Sequence, residues 1–351
     1  MSRELKFVEA LQEAQDLCLE RDPSVYVMGL GVSDGAAMFG STKGLVEKYG
    51  PKRILDMPVS ENAMTGVALG SALTGMRPIM VHLRLEFAML AMDQIVNQAA
   101  KWHYMFGGQA SVPMVIRMVV GRGWGQGAQH SQSLHSWFAH VPGLKVVLPA
   151  TAYDAKGLLI SAIEDNNPVI FIEHRWLYNM TDKVPKGMYR VPLGKSNVLL
   201  KGNDVTIAAS SYATIEALNA AKELEKEGIS IEIIDIRTIN PLDEEPLLES
   251  VKKTGRLIVA DIGWKHAGFA GEIVSRVVEK VYQYLKEPPI RITLPDVPTP
   301  TTRALSNFYY PLPSDIVSAV KKLLGKAAES KPDIKPEDFL DVPYLEFRGP
   351  F

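Results

Sequence analysis

The stretch GRGWGQGAQHSQS, Gly121 to Ser133, sets glycines at 121, 123, 125 and 127 ahead of His130. A glycine loop at the carboxyl end of a strand is where α/β sheets hold ligands, since backbone without side chains admits close approach. A second position of interest is Glu61, in the first turn of a helix behind Ser60. From the residues alone it is a carboxylate favoured by the helix dipole, worth a few tenths to about 1 kcal/mol. A third stretch, GLGVSDG after the strand Val25 to Met28, holds the first two glycines of a dinucleotide loop, Gly29 and Gly31. Asp34 takes the place of the third and would set a carboxylate beside the phosphates, so that reading fails. Asp34-Gly35 with the later Asn62 lacks the flanking residues of a diphosphate and metal motif. The seven histidines include no HExxH, and His130, His135 and His140 are five apart, a spacing that a helix would spread around its axis. A GxSxG elbow is absent, and Cys18 lies on an amphipathic helix where it reads as a buried structural thiol.

Positioning these residues falls to alternating helical and strand periods from residue 4 to about 175, the signature of a parallel sheet covered by helices. The pattern predicts a helix behind Ser2 with Phe7, Leu11, Ala14 and Cys18 on one face, and a helix from Ser60 to about Met76. Gly66 and Gly70, one turn apart on the latter, suggest close approach of a backbone or ligand. Strand Pro78 to Leu83 leads into one long helix from about Phe87 to Phe106, and strand Val112 to Val120 precedes the glycine loop. The fold class is α/β, in two domains that are each a mainly parallel sheet flanked by helices. The expected boundaries are a first domain over 1–178, a linker over 179–203, a second domain over 204–325 and an extended tail over 326–351.

The length of 351 residues excludes a single small module. Hydrophobic residues at 46% and charged residues at 22% exclude extensive disorder. Lys+Arg 38 against Asp+Glu 40, with no basic run, disfavours nucleic acid or an anionic membrane as partner. No apolar stretch approaches the roughly 18 residues needed to span a bilayer. A single cysteine and an N-terminus without an apolar signal core point to a cytoplasmic protein.

The stretches MPVSENAMTGVALGSALTGMRPI, FAMLAMDQIVNQAAKWHYMFGG and GAQHSQSLHSWFAHVPGLKVVLPATAYDAKGLLISAIEDNNPVIFIEH, in that order, carry a resemblance. The chain resembles the beta subunit of thiamine-diphosphate-dependent 2-oxo acid dehydrogenases, the decarboxylating components of pyruvate, branched-chain and acetoin complexes. The similarity covers about residues 4 to 325, and the fold it implies is a thiamine-enzyme pyrimidine domain plus a transketolase C-terminal-like domain. It implies that Glu61 hydrogen-bonds the pyrimidine ring nitrogen of the cofactor and promotes its imino tautomer, and that Phe87 packs on the aminopyrimidine. It implies that His130 assists substrate or lipoyl chemistry. Carbonyls around Ala162, Ile163, Asp165 and Asn167 would form a structural potassium site. The diphosphate and Mg2+ would be held by a separate alpha subunit in an alpha2beta2 heterotetramer, with a lipoyl acyltransferase core as a further partner.

Departures from the family fall near the expected site. Leu30-Gly31 stands where the family has an acidic pair, His82 and Arg84 enter the run before Phe87, and Arg122 and Trp124 enter the glycine loop. His82, Arg84 and Arg122 are therefore candidate substrate residues, Arg84 as a bidentate holder of an anionic group or else as a partner of Glu86. The alternative activity is a split transketolase-type or sugar-modifying subunit, disfavoured because the loop reads AQHSQ where transketolases have DGPTHQ.

Overall fold

The computed structural model describes residues 2–123 and 125–327. Trp124 and most of the expected tail lie outside the described residues. The strands are β1 (Ser2–Lys6), β2 (Val25–Gly29), β3 (Ile54–Asp56), β4 (Arg77–His82), β5 (Val115–Val120), β6 (Lys145–Val147) and β7 (Val169–His174). They continue as β8 (Thr181–Pro185), β9 (Asn197–Leu200), β10 (Val205–Ala209), β11 (Ile231–Asp235), β12 (Thr238–Asn240), β13 (Leu257–Trp264) and β14 (Ile290–Leu294). One sheet has the order β12-β6-β7-β5-β4-β2-β3 and the other β14-β13-β10-β11-β9. Within these two sheets pairing is parallel except at the edge strands β12 and β9, and β1 and β8 form a separate antiparallel pair. The chain is an α/β protein of two mainly parallel sheets flanked by helices. The central strands β2, β5, β7, β10 and β11 are buried at every position, as strands covered on both faces must be.

The structure departs from the periodicity in four places. Residues 2–6 form a strand paired antiparallel with β8, so the first helix begins at Phe7, where Glu9 caps the Lys6 amide, and Ser2 is not its cap. SRELK alternates in burial with period two, which the following helical pattern obscures. The segment read as a linker contains β8 and β9, each too short to stand out from its prolines and glycines. The long helix is broken into Leu85–Ala88, a 3-10 turn, a π-helical stretch Asp93–Ala99 and Trp102–Met105. A wide turn re-phases the side chains, so that both Ala99 and Ala100 are buried. Finally, β12 lies beyond the second domain's first strands in sequence yet pairs with β6, which joins the two halves through one sheet.

Candidate active site

The sequence-predicted positions reach the carboxyl ends of adjacent strands of the larger sheet. Glu61 follows β3, Arg84 and Phe87 follow β4 and the glycine loop follows β5, and Arg175, which the sequence did not single out, follows β7. Loops there are free of sheet bonding and meet in the crevice where parallel sheets bind ligands.

Glu61 opens the helix Glu61–Leu73 and is buried, and its carboxylate has no hydrogen bond or ion pair within the described residues. The helix packs against Leu85–Ala88, which also packs on the turn Ala128–His130. Across that contact the rings of Phe87 and His130 meet edge to face, centroids 5.7 Å apart at 87°. Gly66 takes the close approach expected of it, since an added Cβ would lie 3.3 Å from Gln94 Oε1, whereas Gly70 faces open space. Glu86 Oε1 accepts from the Gln132 amide at 2.5 Å, and its Oε2 is buried without a partner. Burial pushes the Glu86 carboxyl up, against the amides, Arg84 and His130 that favour its charge.

Arg84 is buried and donates to the Gly121 carbonyl and to Gln126 Oε1; it does not pair with Glu86. Strand alternation would place 84 and 86 on one face, but the backbone turns helical at Leu85 and the alternation ends. Arg122 reaches the Gln126 carbonyl and, in the second half of the chain, the Thr301 carbonyl. His82 is buried with both ring nitrogens unpartnered, and burial pushes it down to about 4, so it is neutral at pH 7. Asp34 is spent on a turn, accepting from the Ala36 and Ala37 amides. Cys18 is buried and its thiol is pushed up to about 12, which suits a structural role.

Three of the carbonyls expected around a potassium ion, those of Ala162, Ile163 and Asp165, accept hydrogen bonds within the chain. Arg77 Nη1 donates to the Ile163 and Asp165 carbonyls at 3.0 Å each, and Asp165 carries an ion pair with Lys145. Asp165 Oδ1 accepts from the amide and side chain of Asn167, and the Ala162 carbonyl accepts from the Asp165 amide. No cluster of three or more His, Cys, Asp or Glu that could hold a metal occurs among the described residues.

Sequence reasoning missed Gln126, Arg175 and Glu86. Each lies within a few residues of a strand's carboxyl end, which was the available signal. It also missed His135 Nε2 at 2.9 Å from Asp261 Oδ1, both buried, a contact between the two halves that no local pattern announces.

Residues 3–181 match the transketolase pyrimidine binding domain and residues 194–316 the transketolase C-terminal domain. The chain is 42% identical, over 93% of its length and 99% of the relative, to the acetoin:2,6-dichlorophenolindophenol oxidoreductase subunit beta of Bacillus subtilis. It is 44% identical, over 90% of its length and 97% of the relative, to the pyruvate dehydrogenase E1 component subunit beta of Rickettsia felis. A solved structure described as a split gene transketolase, inactive beta4 tetramer, is similar with a TM-score of 0.75 and 27% identity, over 92% of this chain and 99% of that one. The chain belongs to the thiamine-dependent 2-oxo acid dehydrogenase beta subunits, a family built from transketolase-type pyrimidine-binding and C-terminal domains.

Proposed function

We propose that this chain supplies the proton-handling half of an enzyme that decarboxylates a 2-oxo acid and passes the acyl unit to an acceptor such as a lipoyl group. The observation that carries the reading is Glu61, a buried residue whose carboxylate has no hydrogen bond or ion pair within the described residues, at the start of a helix that packs on the segment carrying Phe87 of the Phe87–His130 ring pair. A carboxylate in that state is suited to a ligand ring nitrogen, and an edge-to-face aromatic pair to one flat ring laid against it. Thiamine diphosphate, when bound, supplies a nucleophilic carbon and an electron sink. Glu61 holds a proton at the pyrimidine nitrogen, Phe87 fixes the ring plane, and His130 holds or donates a proton at the substrate oxygen. Arg84 orients the charged end of the substrate, with His82 and Arg122 around it.

The names of its relatives imply an alpha-subunit partner. The proposed assembly is an alpha2beta2 heterotetramer in which the alpha subunit holds the diphosphate and Mg2+. Val59 and Val67, exposed beside Glu61, are the apolar surface that such a partner would cover. Joining a lipoyl acyltransferase core is the further assembly step of the proposal.

The test is the chain coexpressed with its alpha subunit, assayed by 2-oxo acid-dependent reduction of dichlorophenolindophenol. Glu61→Gln keeps shape and assembly but cannot share the proton, so activity falls by about 10²- to 10⁴-fold with unchanged melting behaviour. Full activity in that variant would return Glu61 to a capping role. The split transketolase structure favours a second reading, transfer of a ketol unit between sugars, and a sugar-phosphate assay of the same complex separates the two.

A further inference from the structure

Beside the Phe87–His130 pair, two buried guanidinium groups share one neutral acceptor. Arg84 Nη2 and Arg175 Nη1 both donate to Gln126 Oε1, the latter at 2.9 Å, and the Gly123 amide adds a third donor at 3.0 Å. Arg175 is fully buried, and its Nε and Nη2 have no partner. Those two atoms form the side-on edge of the guanidinium, which Gln126 does not reach, so an acceptor serves this desolvated cation only at Nη1. Neither Arg84 nor Arg175 has a carboxylate within ion-pair distance among the described residues. The contrast lies nearby in the same sheet, where Arg117 is equally buried and is held by both oxygens of Glu173.

Two desolvated like charges around one amide oxygen are an unfavourable arrangement unless an anion completes it. Their electrostatics agree, since burial lowers Arg84 to about 10 and lowers Arg175, with Arg84 adding to the effect, to about 9. The surroundings fix the forks in place. Arg175 stacks over Phe39 with its Cζ 5.3 Å from the ring centre, and a side chain at Gly123 would overlap its Nη1. Gln126 itself is only half-buried, between the guanidinium groups and the outside.

We infer that Arg84 and Arg175 form a receptor for a compact oxyanion, a carboxylate or a phosphate group, whose place the amide oxygen of Gln126 holds until the anion displaces it. Taken with the proposed function, this names a class of substrate: a 2-oxo acid, or an acceptor, that carries an anionic group at a distance from the reacting carbon. The position fits, because Arg84 lies three residues before Phe87 and Gln126 four before His130.

The test is calorimetric titration and thermal melting of the full chain in complex with its partner, using inorganic phosphate, succinate and 2-oxoglutarate as probes. Thiamine diphosphate and turnover are omitted, so the result stands apart from the decarboxylase reading. Arg175→Met is expected to weaken binding by about tenfold to a hundredfold, the usual effect of losing hydrogen bonds to a charge. Gln126→Ala, which removes the internal competitor, is expected to tighten binding. Gln126→Glu builds the anion in, so it should raise the melting temperature and abolish the response to all three probes. Tighter binding of phosphate identifies a phosphorylated ligand, and tighter binding of succinate or 2-oxoglutarate a dicarboxylate. The inference is overturned if Gln126→Ala binds no more tightly than the parent, or if Gln126→Glu lowers the melting temperature and still responds.

Discussion

Arg117 and Glu173 are fully buried on neighbouring strands, and every strong bond between them is made. Arg117 Nε and Nη2 donate to the two Glu173 oxygens at 2.5 and 2.9 Å, Nη1 donates to Gln15 and Nη2 also to Ser41, while the Tyr178 hydroxyl donates to Glu173. The network ties the first helix and the loop after β2 to the sheet beneath the site. Satisfying both ions makes the pair tolerable, and removing one leaves the other charged and dry. Arg117→Met should therefore destabilise the fold by about 3 to 5 kcal/mol, read as a lower denaturant midpoint. A midpoint within error of the parent would mean that Glu173 is rehydrated in the variant. Nothing in the local sequence singled out this arginine, because it sits in an apolar strand and its partner is 56 positions away.

At the scale of elements, the helix Ala152–Glu164 is governed at both ends by local chemistry. Thr151 caps it by accepting from the Asp154 amide, as a threonine before an apolar-periodic run predicts. Its carboxyl end delivers the Ile163 carbonyl, with that of Asp165 just beyond, to Arg77 at the start of β4, while Arg77 Nη2 reaches Asn166 at 2.6 Å. A guanidinium fixed by three bonds at a helix end complements the dipole there. Exchanging potassium for sodium at constant ionic strength should leave the melting temperature unchanged, because Arg77 and Lys145 already provide the positive charge. A rise specific to potassium would restore the ion to the AIEDNNP loop. The family resemblance found this loop, but its hydrogen bonds to Arg77, more than 80 residues earlier in the chain, were visible only in the structure.

For the whole molecule, the contact of His135 with Asp261 pins the segment after the glycine loop to β13 of the second sheet. Burial acts to raise the Asp261 carboxyl, but the His135 imidazole and the Gly263 and Ala270 amides more than offset it and hold it below the ordinary value. A carboxyl depressed on folding adds stability above its unfolded pKa, about 4, and that contribution is lost as pH falls through the lower, folded value. Acid unfolding followed by circular dichroism should therefore begin below about pH 4, and His135→Gln should move its midpoint to higher pH. An unmoved midpoint would show that the amides alone hold the carboxylate.

The fold class, most strand positions and the motif-bearing segments were determined by the sequence itself. Runs such as Val25 to Met28 and Val169 to Ile172 are apolar because strands covered on both faces exclude polar side chains, and that constraint is written locally. The positions of Glu61 at a helix start and of His130 in a loop after a strand could be read for the same reason, while the roles expected of them and of Phe87 came from the family resemblance. The partners of those residues were decided by tertiary structure alone. Pairing with Glu86 was one reading open for Arg84, which instead meets Gln126, 42 residues on, because one backbone turn at Leu85 redirected it. β12 joins β6 from almost 100 residues away, and Arg175 reaches Gln126 across neighbouring strands. Such contacts follow from the order of strands in a sheet. That order is set by how all the helices pack at once, and no window of sequence contains it.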